Sequence, residues 1–264
     1  MKASTIFAFI LALIIQVGLP LAITLHFRRK TRAPWTAFFC GVLVYGVFQL
    51  FTWLPLSVYV DAVVGATLPS GTWAFVWLLA LALTTSLVEE FGRWCGYRFL
   101  FRRVGLSLTW RHGVMFGLGH GAVETMLLIG GLTFMHLLAY IALARADLDA
   151  VLPPATGAGA SAFAESLRAI QTTTWTQPLT VAFERILALA HQVAWALLVM
   201  ASLGQRQKRW FGFAVLYHAS VAVIVPGLAR LAGFAVAEAV NLLLAAFSFW
   251  IILKLRPLAP EEGR

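Results

Sequence analysis

Residues Ser4 to Leu25 read STIFAFILALIIQVGLPLAITL, a run with no ionisable side chain, and His26-Phe-Arg-Arg-Lys-Thr-Arg32 follows at once. About 20 consecutive apolar residues are enough to cross the hydrocarbon of a bilayer. The order of apolar run and basic cluster is the reverse of a cleavable signal peptide, so the run reads as an uncleaved span with its N-terminus outside. The rest of the 264-residue chain repeats the pattern: 61% of it is apolar and 12% charged, against about a quarter charged in soluble domains. A secreted disulfide scaffold, a disordered regulator and a soluble enzyme are excluded by that balance. Cys40 and Cys95 have no ligand spacing and read as free thiols.

Further runs follow at Thr36 to Val60, Trp73 to about Trp94, after Arg111 to about Ala144, Val181 to Leu203, Phe211 to Val225, and about Leu231 to Leu253, the sixth of the series stopping at Pro226-Gly227. Seven spans are therefore expected, forming one all-α, polytopic helical bundle over residues 1–264. The basic clusters at 28–32, 98–111, 206–209 and 254–256 fall on one side of that arrangement, as the positive-inside rule requires. Residues 28–35, 98–111 and 204–210 are then cytoplasmic loops and the C-terminus is cytoplasmic. Residues 145–180, rich in Pro, Ala, Gly and Thr, form an extracytoplasmic loop, with a short amphipathic helix expected around Phe163 to Ile170. The excess of 20 Lys+Arg over 11 Asp+Glu is thus a topology signal, and the bilayer accounts for it without a nucleic-acid partner.

Ionisable groups within the spans carry the functional information, because each is costly at bilayer depth. Glu89, Glu90 and Arg93 lie in one span, and helical spacing lets the guanidinium hold one carboxylate while the other stays free for chemistry. His120 and Glu124 lie four apart on the next span, flanked by Gly113, Gly117, Gly119 and Gly121, which permit close helix approach. His191 and His218 lie on two further spans. Counting about 1.5 Å per residue from the nearest basic cluster places these groups in one slab of the basic half, with Glu124 and His191 about a turn deeper. A shared polar cavity is expected. His136 points away from His120 and reads as packing; Glu184-Arg185 reads as a local ion pair, and Glu238 and Asn241 as supporting polar groups.

The ordered series Glu-Glu-x-x-Arg at 89–93, Phe-x-x-x-His at 116–120 and later histidines on separate spans resembles the CPBP superfamily of CaaX proteases and bacteriocin-processing enzymes. Within it, Gly-Leu-Gly-His120-Gly-Ala-Val-Glu124, with the glutamate pair before it and Glu184-Arg185 and His191 after it, is similar to the YhfC family of intramembrane metalloproteases. The position four residues past His218, Asn or Asp in many superfamily members, is Ala222 here. The resemblance implies a bacterial plasma-membrane (inner-membrane) endopeptidase acting on a membrane protein or peptide, with Glu89, Glu90, Arg93 and His120 as catalytic residues. Two chemistries stay open. A carboxylate can activate water unaided, or a divalent metal such as zinc can be held by His120, Glu124, His191 and His218. A proton-coupled transporter and a non-catalytic scaffold or immunity factor are the alternative readings of the same polar core.

Overall fold

The computed structural model describes residues 2–69, 71–148 and 158–256, and every regular element among them is helical. Seven helices are long and apolar enough to span a membrane: α1 (Ala3–Thr31), α2 (Trp35–Val63), α3 (Thr72–Arg103), α4 (Trp110–Leu143), α6 (Thr176–Gly204), α7 (Lys208–Leu231) and α8 (Phe234–Lys254). The eighth helix, α5 (Ala158–Gln171), is the amphipathic one expected in the loop before α6. It is longer than the sequence suggested and is tied to the end of α4 by Gln171, whose Nε2 donates to the carbonyls of Leu143 and Ala146 at 2.9 Å each. The Pro153-Pro154 part of that loop and the end of the C-terminal tail lie outside the described residues.

The chain is an integral membrane protein. Successive spans run antiparallel, so that every basic cluster reaches the same end of the bundle. Two contacts tie that end together: Arg111 donates to the carbonyl of Thr31 at 3.0 Å and Trp110 Nε1 to that of Ile252 at 2.8 Å. Arg28, Arg29 and Lys30 occupy the last turn of α1, where cations complement the helix dipole. Arg32 then closes the helix in a left-handed conformation, φ 55°, its N–H bonded to the Arg28 carbonyl.

α6 is the axis of the bundle. Of its most apolar window 78% is buried, against 17–39% in the other spans. α4 packs beside it along the glycine seam, and each glycine has a structural reason. A Cβ on Gly117 would stand 2.7 Å from the Cα of Val193, one on Gly113 2.7 Å from Leu197 Cδ2, and one on Gly121 3.0 Å from Gln192 Cβ. On the other side of α4, a Cβ at Gly119 would collide with the backbone carbonyl of Phe38 on α2, and one at Gly41 with that of Phe116. α1 contributes a narrow stripe of Thr5, Ala8, Phe9, Ala12, Gln16, Pro20 and Thr24 to the interior, residues spaced by three and four as one helical face requires.

Three details depart from the expected spans. α3 does not end at about Trp94 but runs on to Arg103, so that residues 98–103 of the expected loop are helical. α7 does not stop at Pro226 but continues through it to Leu231; membrane helices tolerate proline because neighbouring groups re-satisfy the freed backbone. Three spans also contain wider π-helical turns, at Gly46–Trp53, Gly96–Leu100 and Glu124–Ile129. Such turns rotate the faces that follow them, and two of them carry residues that join the buried polar groups, Gln49 and Glu124.

Candidate active site

Glu89, Glu90 and Arg93 sit on one turn of α3, all three buried, with Glu90 and Arg93 fully so. The guanidinium binds both carboxylates and also Gln192 Oε1 of α6. The expectation that Arg93 would leave one carboxylate free is therefore corrected: with a fork of donors at the centre of the group, both glutamates come within its reach. Each carboxylate gains an imidazole from another helix. His120 Nε2 donates to Glu89 Oε1 at 3.1 Å, and His218 Nδ1 to Glu90 Oε1 at 2.8 Å. Gln49, from the π-helical part of α2, donates Nε2 to Glu89 Oε2 at 2.7 Å.

Glu124 belongs to a neighbouring group. Its Oε1 accepts from Arg185 Nη1 at 2.9 Å and its Oε2 from Gln192 Nε2 at 2.6 Å. Arg185 thus reaches α4 instead of pairing with the adjacent Glu184. Gln192 joins the two groups, accepting from Arg93 and donating to Glu124. His191 is turned away toward α8, where Nδ1 meets Ser248 Oγ at 2.8 Å and Nε2 meets Asn241 Oδ1 at 3.3 Å. His136 bonds Thr173 at 2.9 Å and packs edge-on against Phe9, a packing histidine as expected.

The set His120, Glu124, His191 and His218 is accordingly not assembled among the described residues. Of the four, only His218 joins the one group there whose ligand atoms converge, Glu89, Glu90 and His218, all within 4.8 Å of one another. The reason is the position of Arg93, which draws both carboxylates toward His218 while Glu124 and His191 find partners of their own. Trp195, one turn past His191, stacks on the His218 ring at 3.8 Å and 12°, and the Arg93 guanidinium lies over the same indole at 5.8 Å. Trp195, Gln192, Gln49 and Ser248 carried no charge that would have singled them out in the sequence.

A cavity of about 620 Å³ opens beside this cluster. Its innermost wall is formed by Tyr45, Glu89, Trp195 and His218, and it extends past Glu184 and Glu238 to Arg230 and Phe234 at the α7–α8 turn, the end of the bundle opposite the basic clusters. Ala222 lines it beside His218. Glu90, Arg93 and His120 stand behind the wall, out of reach of the cavity.

Two carboxylates share one guanidinium here, which leaves one negative charge over when both are ionised. A buried excess charge calls for a proton or a cation. Three buried polar atoms of the cluster also lack a protein partner: Glu90 Oε2, His120 Nδ1 and Arg93 Nε. The free carboxylate oxygen, the leftover charge and the two-carboxylate, one-imidazole donor set suit a divalent metal.

Residues 11–244 match the YhfC intramembrane metalloprotease family. The chain belongs to that family. A relative in Bacillus subtilis (strain 168), described as the uncharacterized membrane protein YhfC, is 28% identical over 247 residues, covering 89% of this chain and 90% of the relative. No solved structure matches. The family match takes in the whole of α2 through α7, so every residue of the buried cluster lies inside it.

Proposed function

We propose that this member of the YhfC family is an intramembrane endopeptidase that hydrolyses a peptide bond of a membrane protein or peptide. The observation that carries the reading is the pair Glu89 and His218 on the inner wall of a cavity, backed by Glu90, Arg93 and His120. A peptide segment reaching down the cavity would meet Glu89 and His218 at its inner wall. One carboxylate takes a proton from water as it attacks the scissile carbonyl and then passes that proton to the leaving amine, while an imidazole N–H steadies the oxyanion. Arg93 acts through others, holding both glutamates, while Gln49 and His120 fix the orientation of Glu89.

Glu89, Glu90 and His218 would hold a divalent metal, which when bound supplies Lewis acidity and a more acidic water. The positive-inside assignment puts the basic end in the cytoplasm and the cavity mouth at the extracytoplasmic side of the plasma membrane, so substrates would enter from there. The order of the chain's motifs resembles that of the CPBP proteases, which supports the same reading.

The test is cleavage of membrane-spanning peptides by purified chain in nanodiscs, with metal analysis of the same preparation. Glu89→Gln and His218→Ala should each lower turnover by roughly two orders of magnitude or more. Unchanged turnover in both folded variants rejects these roles. Full activity after chelation, with no stoichiometric metal in the starting protein, leaves the carboxylate route alone; a biological effect that survives Glu89→Gln points to a scaffold.

A further inference from the structure

A second cavity, of about 730 Å³, lies at the basic end of the bundle, between the start of α7 and the end of α8. Leu198 and Ile251, both buried, form its floor, and Trp210, Phe213, Phe247 and Trp250 its walls. Its rim carries Arg209 and Lys254, both exposed, and among the described residues no carboxylate lines it. From Lys254 to Phe247 the groove descends seven residues of α8, about 10 Å, and the half-exposed rings of Phe247 and Trp250 open it sideways to the surroundings of the bundle. Phe247 and Trp250 stack at 5.5 Å, which makes one wall a flat aromatic surface.

We propose that this groove binds an anionic phospholipid, its phosphate between Arg209 and Lys254 and the first part of an acyl chain along Trp210, Phe213, Phe247 and Trp250. Charge and depth select this occupant. Two cations at the headgroup level above an aromatic and aliphatic slot match a molecule with a negative head and an apolar tail, and basic pockets between membrane helices are suited to such heads. Among the described residues the rim offers no acid to hold the positive part of a cationic or zwitterionic head. The groove is too shallow for a spanning helix of a partner, which needs about 30 Å of contact height. A lipid in this position would also brace α7 against α8: Phe213 stacks on Tyr217 at 6.0 Å, Phe247 meets it edge-on at 5.4 Å, and the Tyr217 hydroxyl contacts Ser248, the partner of His191.

The experiment uses the full chain in detergent, titrated with phosphatidylglycerol or phosphatidylcholine, and reads retained lipid by native mass spectrometry and the thermal midpoint of unfolding. Phosphatidylglycerol should be retained in preference and raise the midpoint, since a ligand of the native state stabilises it. The double variant Arg209→Gln/Lys254→Gln should lose that preference by about tenfold or more. Arg28→Gln/Arg29→Gln, at the same end but away from the groove, should keep it. Equal retention of the two lipids by the wild-type chain overturns the proposal without any variant. So does an undiminished preference in the groove variant, or an equal loss in the Arg28/Arg29 control, which would assign the effect to the basic face as a whole.

Discussion

Gln192 is the residue on which the buried polar groups depend. Its amide oxygen faces Arg93 and its amide nitrogen faces Glu124, so one neutral side chain holds a cation and an anion in register. Gln192→Leu keeps the size but strands a guanidinium N–H on one side and a carboxylate oxygen on the other. Leaving such groups unpaired costs about 1–3 kcal/mol or more each. The expected result is a clear fall in the unfolding midpoint, and lower turnover than that loss of fold alone explains; Gln192→Glu should be worse near Glu124. A wild-type midpoint in Gln192→Leu would mean that the bridge contributes nothing. The charged members of this site were legible in the sequence because Glu89, Glu90, Arg93 and His120 interrupt apolar runs at helical spacing. Gln192 was not, since it is uncharged, looks like a tolerated polar residue, and finds its partners 99 and 68 positions away. The pairing of ligands was hidden for the same reason: spacing along one helix says which side chains share a face, but not that Arg93 gathers both carboxylates beside His218.

Between elements, the contact of α2 with α4 is the least forgiving. Gly41 and Gly119 bring the two backbones together so closely that a methyl group at either would meet a carbonyl oxygen, which has no rotamer by which to move aside. Gly119→Ala and Gly41→Ala should therefore force the helices apart and lower the unfolding midpoint, with a cost of about 1–3 kcal/mol or more expected of overpacking. They should also loosen the His120–Glu89 contact that the α4 position sets. Gly212→Ala, where an added Cβ meets nothing within 4 Å, should leave the midpoint unchanged or slightly raised. A similar fall in all three would mean that glycine's loss matters for some reason other than this approach. Glycine at spacing four announced a close seam in the sequence, yet it could not say that Gly119 serves a different neighbour from Gly113, Gly117 and Gly121. The extent of α7 was misjudged because proline is a breaker in water, whereas a membrane-spanning helix tolerates it and the chain continues through Pro226.

For the molecule as a whole, the seven spans and the shared end of the basic clusters were readable from charge and hydropathy, because the bilayer permits so few ways of arranging a chain. With the basic end in the cytoplasm, a cysteine placed at Lys208 should resist an impermeant external reagent in intact cells while one at Glu165 on α5 reacts; the reverse pattern would invert the orientation and with it the side from which substrate arrives. The native Cys40 is buried and Cys95 half-buried, so both are replaced by Ser beforehand. The enclosure of the larger part of α6 has a consequence for how the protein is made. This helix carries Glu184, Arg185, His191 and Gln192, and lipid can satisfy none of them. It leaves the ribosome after α1 to α4, and Glu124 and Arg93 on α4 and α3 are by then in place to receive Arg185 and Gln192, while His191 meets its partners only when α8 follows. A helix so enclosed is received by its predecessors more than dissolved in the bilayer, and synthesis order supplies the receptor before the guest.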